Sequence, residues 1–234
     1  MHKRIAIIPA RGGSKRILRK NIREFLGKPI IAYSIEAALK SDLFDEVIVS
    51  TDDKEIEEIA IKYGAKVPFI RSDENSGDHA TTADVIIEVL EWYEKQGVNY
   101  EEMACIYPCS PFITQDLLKD SKLILNKNNA DCVFPIIKYN HPIRRAVSIN
   151  SEGKMKSLFD EFSTTRTQDL DLYYHDAGMF YFLNIEKFQK TKSLRTENTY
   201  TIEINNNLSQ DIDNESDWKL AEMKYAINFS YRIK

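Results

Sequence analysis

Cysteine is scarce in this chain: Cys105, Cys109 and Cys132 are the only three, and they form neither a C-x-x-C pair nor a Cys/His zinc spacing. An odd, scattered set argues against a disulfide framework and a structural zinc site, and points to buried thiols in a reducing compartment. Long hydrophobic runs are missing as well. The N-terminal "IAIIPA" is too short for a signal-peptide core with its cleavage site, and no later stretch approaches the ~20 apolar residues of a membrane span. The expectation is a soluble cytoplasmic protein with no membrane partner. Nor is there an excess of positive charge, since 32 Lys and Arg face 36 Asp and Glu, a formal net charge of -4. That balance excludes a surface that binds nucleic acid throughout, so an anionic ligand has to meet a local cluster. Internal repeats, low-complexity tracts and Gly/Ser linkers are absent. One domain over residues 1–234 is expected, long enough to bury roughly 70 to 75% of the surface its unfolded form exposes.

What is present is alternation. Ile5 to Pro9 predicts a strand, Pro29 to Lys40 a helix with Pro29 suited to its first turn, and "EVIVST" from Glu46 a second strand. Asp52 or Asp53 can cap a helix that runs to Lys62 and stops at Gly64, after which "KVPFI" predicts another strand. Val85, Ile86, Val89, Leu90 and Tyr93 recur at helical spacing within Thr82 to Lys95. "MACIYP" and "CVFPII" predict buried strands on either side of a helix capped by Thr114, "AGMFYFLN" and "TYTIEI" two more, and "ESDWKLAEMKYAINF" a closing amphipathic helix. Repeated strand, helix, strand units imply an α/β fold with a largely parallel sheet and flanking helices. Ligands of such sheets sit at the carboxyl ends of strands, here the loops after Ala10, Ser50 and Tyr107. From Tyr139 to His175 the alternation fails, and the charged segment reads as an insertion.

The first of those loops carries the local cluster. In "IIPARGGSKRILRKN" two glycines without Cβ let the backbone approach a ligand and turn the amides of Gly12 and Gly13 inward, while Arg11 and Lys15 add charge beside them. The stretch matches neither G-x-x-x-x-G-K-[ST] nor G-x-G-x-x-G. Taken alone, it is equally a solvated basic loop.

"IPARGGSKRILRKN", "VSTDD", "GDHATTAD", "YPCSPF" and "SQDIDNESDW" stand in the order and rough spacing of the CMP-sialic acid synthetase family, the cytidylyltransferases of nine-carbon acidic sugars, and the chain resembles that family over nearly its whole length. "STTRTQDL" followed by "YYHDAG" is most similar to the branch acting on pseudaminic acid, with the N-acetylneuraminic and legionaminic acid branches as alternatives. The resemblance implies a mixed α/β, nucleotide-diphospho-sugar transferase-like fold, a homodimer, and reaction of CTP with the sugar acid to give the CMP-sugar and pyrophosphate. Carried onto this chain, Arg11, Gly12, Gly13, Ser14, Lys15, Lys20 and Asn21 match the nucleotide and phosphate loop, and Arg71, Asp78 and Thr82 the region around cytosine and ribose. Asp211 and Asp213 match metal-binding aspartates, with Mg2+ as the cofactor, and Arg166 a sugar-binding arginine. Leu18 stands where the family pattern has a proline, Tyr107 and Cys109 depart from the sialic acid branch, and Met179 and Phe182 from the pseudaminic one.

Chemistry asks for the same residue types. Attack of an anomeric hydroxyl on the α-phosphorus of CTP builds charge on departing pyrophosphate, which fixed cations and a divalent metal stabilise, with Arg11, Lys15 and Asp211 the expected catalytic groups. Asp211 and Asp213 face the same way in an extended stretch, with Ile212 opposite. "DID" is otherwise an acidic surface turn. Arg166 can grip a carboxylate in bidentate fashion, and Tyr174 and His175 offer flat, hydrogen-bonding surface for the sugar. The general base is left open between Asp211, a metal-bound hydroxide and His175. The four histidines show no metal-ligand spacing. Phe159, Phe162, Leu170, Leu172 and Tyr173 give the insertion over 139–175 apolar residues for a second copy to cover. Two other classes compete: a glycosyltransferase using D-x-D to hold a nucleotide sugar, and a non-catalytic nucleotide or RNA-binding module. Seven basic residues against one acidic between Arg11 and Lys28 suit three phosphates better than two, and interleaved aromatics for stacking bases are missing.

Overall fold

The computed structural model describes residues 3–229. Alternation from sequence is realised as a seven-stranded sheet with helices on both faces. In chain order the elements are β1 (Arg4–Pro9), the two-residue β2 (Glu24–Phe25) and β3 (Lys28–Pro29), α1 (Ile30–Ser41), β4 (Glu46–Ser50) and α2 (Lys54–Lys62). The short α3 (Asp73–Ser76), α4 (Thr82–Lys95), β5 (Glu102–Ile106), α5 (Gln115–Asn128) and β6 (Cys132–Lys138) follow. The hairpin β7 (Val147–Ile149) and β8 (Met155–Ser157), then β9 (Tyr174–Asp176), β10 (Phe180–Asn184), α6 (Ile185–Thr191), β11 (Thr199–Glu203) and α7 (Glu215–Phe229) complete the chain.

Sheet order is β11-β6-β10-β5-β1-β4, with β9 also on β6. β1 pairs in parallel with β4 and β5, β11 in parallel with β6, while β10 runs antiparallel between β5 and β6. The largely parallel expectation is met, with β10 and β9 as the reversed strands. Alternate residues of β1 divide the core: Ala6 and Ile8 pack with α1, α2, α5 and α7, whereas Ile5 and Ile7 pack with α4 and α6. A strand covered on both faces must be apolar throughout, which is why "IAII" shows no alternation.

Two expectations need correction. "KVPFI" forms no strand; it touches the sheet edge only through bridges of Lys66 to Ile48 and Ile70 to Thr51, because Pro68 lacks a ladder donor. Pro29 precedes α1 as its cap residue, ending the β2–β3 ribbon, instead of occupying the first turn. The segment 139–175, expected to be an insertion, is irregular apart from β7, β8, three 3-10 turns and the start of β9. Leu170 is buried by the chain itself and Phe162 lies under Arg144, so the apolar residues left exposed are chiefly Val147, Ile149, Met155, Leu158 and Leu172.

One aromatic cluster decides where the C-terminal helix meets the loop after β1. Phe25 packs edge-on against Tyr33, Trp218 and Tyr225, with ring centroids 5.5, 5.6 and 5.7 Å away. The Tyr33 hydroxyl donates to the Phe25 carbonyl at 2.7 Å. α1, the β2–β3 ribbon and α7 thus share one contact point, and the residues before α7 are brought beside residues 11–21. Phe25→Ala is expected to cost about 3 to 5 kcal/mol, the range for a fully buried aromatic. Urea denaturation followed by circular dichroism checks this, and a loss under ~1 kcal/mol would show that the cluster does not hold α7.

Candidate active site

At the carboxyl ends of β1 and β5 lies a cavity of about 530 Å³. Its walls come from three places: Arg11, Ser14, Lys15, Arg16, Lys20 and Asn21 after β1, Tyr107 to Ser110 after β5, and Gln210 to Asp213 before α7. Gly178, in a left-handed turn with φ 65° before β10, completes it.

The loop after β1 is built on carboxylates. Asp53 caps α2 by accepting from the amides of Glu55 at 3.0 Å and Ile56 at 3.1 Å, and its oxygens also accept from Arg19 at 2.5 and 2.8 Å. The Arg19 hydrogen bonds lower the Asp53 carboxyl to about 2, although partial burial opposes them. Asp52 accepts from the Gly12 amide at 2.8 Å. The glycine is required there, since a Cβ on Gly12 would stand 2.6 Å from Asp53 Oδ2. The reading of the two glycines therefore changes: Gly12 turns its amide to Asp52, away from the cavity, and a Cβ on Gly13 would meet nothing within 4 Å.

Asn21, buried, donates to the Arg11 carbonyl at 2.9 Å and accepts from the Cys109 thiol at 3.2 Å, tying the loop to β5. Burial pushes that thiol up to about 12, so Cys109 acts as a hydrogen-bond donor and not as a nucleophile near neutrality. The exposed Asp78 accepts from Arg11 at 3.1 Å and from Lys15. Lys15 first, and then Arg11, lower its carboxyl below the ordinary range.

The distal "DID" meets this loop directly. Arg16 pairs with Asp213 at 2.7 Å, and Lys20 donates to the Ile212 carbonyl. Ile212 is buried, and it lines the cavity together with the aspartates on either side of it, where the extended reading had placed it opposite them. Asp217 at the start of α7 accepts from the Asp213 amide at 2.9 Å and the Asn214 amide at 3.1 Å. Asp211 keeps solvent access, yet the cavity walls strip part of its hydration, and that desolvation followed by the Asp213 charge raises its carboxyl above the ordinary range. Two carboxylates facing one cationic cavity have the donor types that a polyanion together with a divalent cation requires.

The remaining sequence-derived residues divide. Thr82 neighbours the Tyr107 hydroxyl on the cavity wall. Arg71 is buried instead: its Nε donates to Ser50 Oγ at 3.0 Å, a second guanidinium nitrogen donates to the Ser50 carbonyl, and burial lowers its pKa. Arg166 is exposed and pairs with Asp169 at 2.9 Å. Tyr174 and His175 sit on β9 against Lys138 and Ile137, with the His175 ring 4.7 Å from Tyr139. Those three lie outside the cavity wall of a single chain. Gln210, Arg16 and Gly178 line the cavity but were not singled out from sequence; Gln210 adjoins "DID", Arg16 lies within the basic run, and Gly178 ends "HDAG".

A family model described as cytidylyltransferase matches residues 5–229. The chain belongs to the cytidylyltransferase family. It is 39% identical over 226 residues to a pseudaminic acid cytidylyltransferase of Campylobacter jejuni, covering 97% of both chains. It is 32% identical over 233 residues to a CMP-N,N'-diacetyllegionaminic acid synthase of Legionella pneumophila, covering 96% of this chain and 97% of that one. A solved CMP:2-keto-3-deoxy-manno-octonic acid synthetase in complex with CTP superposes with a TM-score of 0.69 at 17% identity, over 97% of this chain and 100% of that one. That likeness establishes the nucleotidyltransferase fold. Membership of the cytidylyltransferases decides against the D-x-D glycosyltransferase and nucleic-acid alternatives. Among the described residues, no helix is long and apolar enough to cross a membrane.

In this cytidylyltransferase the Asp53–Arg19 pair has a measurable pH signature. The native state holds Asp53 near 2 while an unfolded aspartate titrates near 4, so as pH falls the unfolded chain takes up the proton first. The stabilisation, on the order of 2 kcal/mol, is complete above about pH 5 and vanishes as pH falls toward about 2. Urea unfolding of wild type and Asp53→Asn should differ by that amount at neutral pH and converge in acid; a gap that does not close would mean that the Asp53 charge is not the source.

Proposed function

We propose that this cytidylyltransferase transfers CMP from CTP to the anomeric hydroxyl of pseudaminic acid and releases pyrophosphate. One observation carries the reading: the basic loop after β1 and the Asp211/Asp213 pair share a cavity and touch through Arg16–Asp213 and Lys20–Ile212, in a chain 39% identical to a pseudaminic acid cytidylyltransferase.

In the reaction the anomeric oxygen bonds to the α-phosphorus of CTP, the α–β bridging bond breaks with its electrons going to pyrophosphate, and the anomeric proton leaves. Arg11 and Lys15 bind the triphosphate by exchanging their contacts with Asp78 for phosphate oxygens, and they stabilise the charge that gathers on pyrophosphate. Asp211 and Asp213 fit a hard divalent cation, because both are cavity-facing carboxylates and the carboxyl of Asp211 is raised in part by its neighbour. We assign Mg2+ to them; when bound it neutralises phosphate charge and acts as a Lewis acid on the α-phosphate. Among the described residues no group of three metal-binding side chains occurs, so the remaining ligands would be phosphate oxygens and water. As proton acceptor, Asp211 is favoured over His175 because it alone of the two lines the cavity.

For the sugar we keep Arg166 as the carboxylate grip, with Tyr174 and His175 beside it. Their distance from the cavity in a single chain, and the exposed apolar residues of β7, β8 and Leu172, support a homodimer in which a second copy completes the sugar site. We assign the reaction to the cytoplasm, where CTP is supplied.

Pyrophosphate release from CTP should require both Mg2+ and an acidic nine-carbon sugar, with the highest kcat/KM for pseudaminic acid. No release with pseudaminic, legionaminic or N-acetylneuraminic acid overturns the transferase; a higher kcat/KM for either of the other two reassigns the sugar alone. Lys15→Ala should lower kcat by about 10² to 10³, the scale for one preorganised transition-state donor, without changing the thermal midpoint. An unaltered rate in stopped or continuous pyrophosphate assays would return Lys15 to the solvated loop.

A further inference from the structure

The segment that delivers Asp211 into the cavity has little regular structure. A 3-10 turn at Asn206–Leu208 precedes residues 209–214, which lie in neither helix nor strand. Neighbours give it a position. The buried Ser209 donates to the Ala177 carbonyl at 3.1 Å, and from α7 the Lys224 ammonium donates to the carbonyls of Asn206 at 3.0 Å and Ser209 at 2.8 Å and to Gln210 Oε1 at 3.0 Å. An ammonium has three N–H donors, and all three go to the strap that ends one residue before Asp211.

Lys224 is half-buried, and among the described residues no carboxylate pairs with it. A cation withdrawn from water without a counter-ion is costly, and only its hydrogen bonds offset that cost. An apolar residue would fill this place on α7 more cheaply if packing were all that was needed. Asp213 is held differently: its amide is fixed by Asp217 at the start of α7 and its carboxylate by Arg16. The backbone on either side of Ile212 therefore has separate anchors on the same helix, Lys224 and Asp217, and the Asp213 carboxylate has a further one in Arg16 of the loop after β1.

We propose that Lys224 is a positioning residue for the divalent cation, fixing the Asn206–Gln210 strap and through it the place of the Asp211 carboxylate relative to Asp213. The inference rests on the proposed role of Asp211 and Asp213 as metal ligands. Lys224 touches neither substrate nor metal. It acts through the backbone that carries one ligand, leaving the other in place, so its loss should weaken cation binding before it alters sugar recognition.

Mn2+ alone is the probe: the electron-paramagnetic signal of free ion, titrated with the whole chain, reads binding without turnover, and the Mg2+ concentration for half-maximal pyrophosphate release is measured in parallel. Lys224→Met should raise both values about tenfold, the lower end of the cost of removing a group that orients a metal ligand. KM for the sugar at saturating Mg2+ should move by less than about twofold, and Lys224→Arg, which keeps donors for the same carbonyls, should recover most of the affinity. A Lys224→Met protein with wild-type Mn2+ affinity overturns the proposal even if its thermal midpoint drops, because a merely structural lysine would lower stability and leave binding by the folded fraction unchanged. Should that variant not fold, Lys224→Gln serves, and wild-type affinity there overturns the proposal equally. Wild type that binds no Mn2+ and releases pyrophosphate without Mg2+ removes the metal reading itself, and this inference with it.

Discussion

Mutual repulsion among Arg11, Lys15, Arg16, Arg19 and Lys20 is the constraint around which the site is organised. Five cations within ten residues cannot hold one conformation without acceptors, and each has one here: Asp78 for Arg11 and Lys15, Asp213 for Arg16, Asp53 and Glu55 for Arg19, the Ile212 carbonyl for Lys20. These partners differ in depth. Asp53 is largely covered and bound to a helix start, so Arg19 is permanently committed. Asp78 is solvent-exposed, and screening makes its two ion pairs weak enough for phosphate to replace. The loop is thereby fixed at its base and exchangeable at its tip, which suits a group that must be bound, charged further in the transition state and then released.

Sequence legibility follows the range of the interactions involved. Helix starts at Asp53 and Thr114 were readable because capping is decided within three or four residues, and the core strands because burial on both faces leaves an unbroken apolar run. "KVPFI" misled because its composition suits a strand while Pro68 denies it a ladder. The site was legible where chemistry concentrates charge, in the basic loop and "DID". It was illegible where a residue's role depends on a distant partner. Arg71 reads as one more cation, yet Ser50 draws it into the interior, and nothing near position 78 announces that its carboxylate rests on two cations more than sixty residues away. Lys224 looks like solvent-facing helix until the strap before Asp211 is placed against it.

The departures from family pattern also acquire physical content. Cys109 donates its thiol to Asn21, a polar link between the loops after β1 and β5. Leu18, 81% exposed, leaves the turn before Arg19 free of proline's fixed φ, while Arg19 itself takes a left-handed φ of 55°. Asp53 holds the Arg19 guanidinium there. Met179 and Phe182 are both buried in the core, one just before β10 and the other within it.

The place of β10 in the sheet has a consequence for how the chain matures. β4, β1 and β5 form one parallel group and β6 with β11 another, and β10 alone joins them, bonded to β5 on one side and β6 on the other. During synthesis the first group can assemble once residue 106 has emerged, but the inner edge of β5 stays open until Phe180 to Asn184 arrive, after β6 and the whole of residues 139–175. A central edge left waiting for some seventy residues is a template for mispairing between nascent chains. Closing the sheet with a late, reversed strand is a long-range event, and the length of the 139–175 segment adds to the sequence separation it has to span.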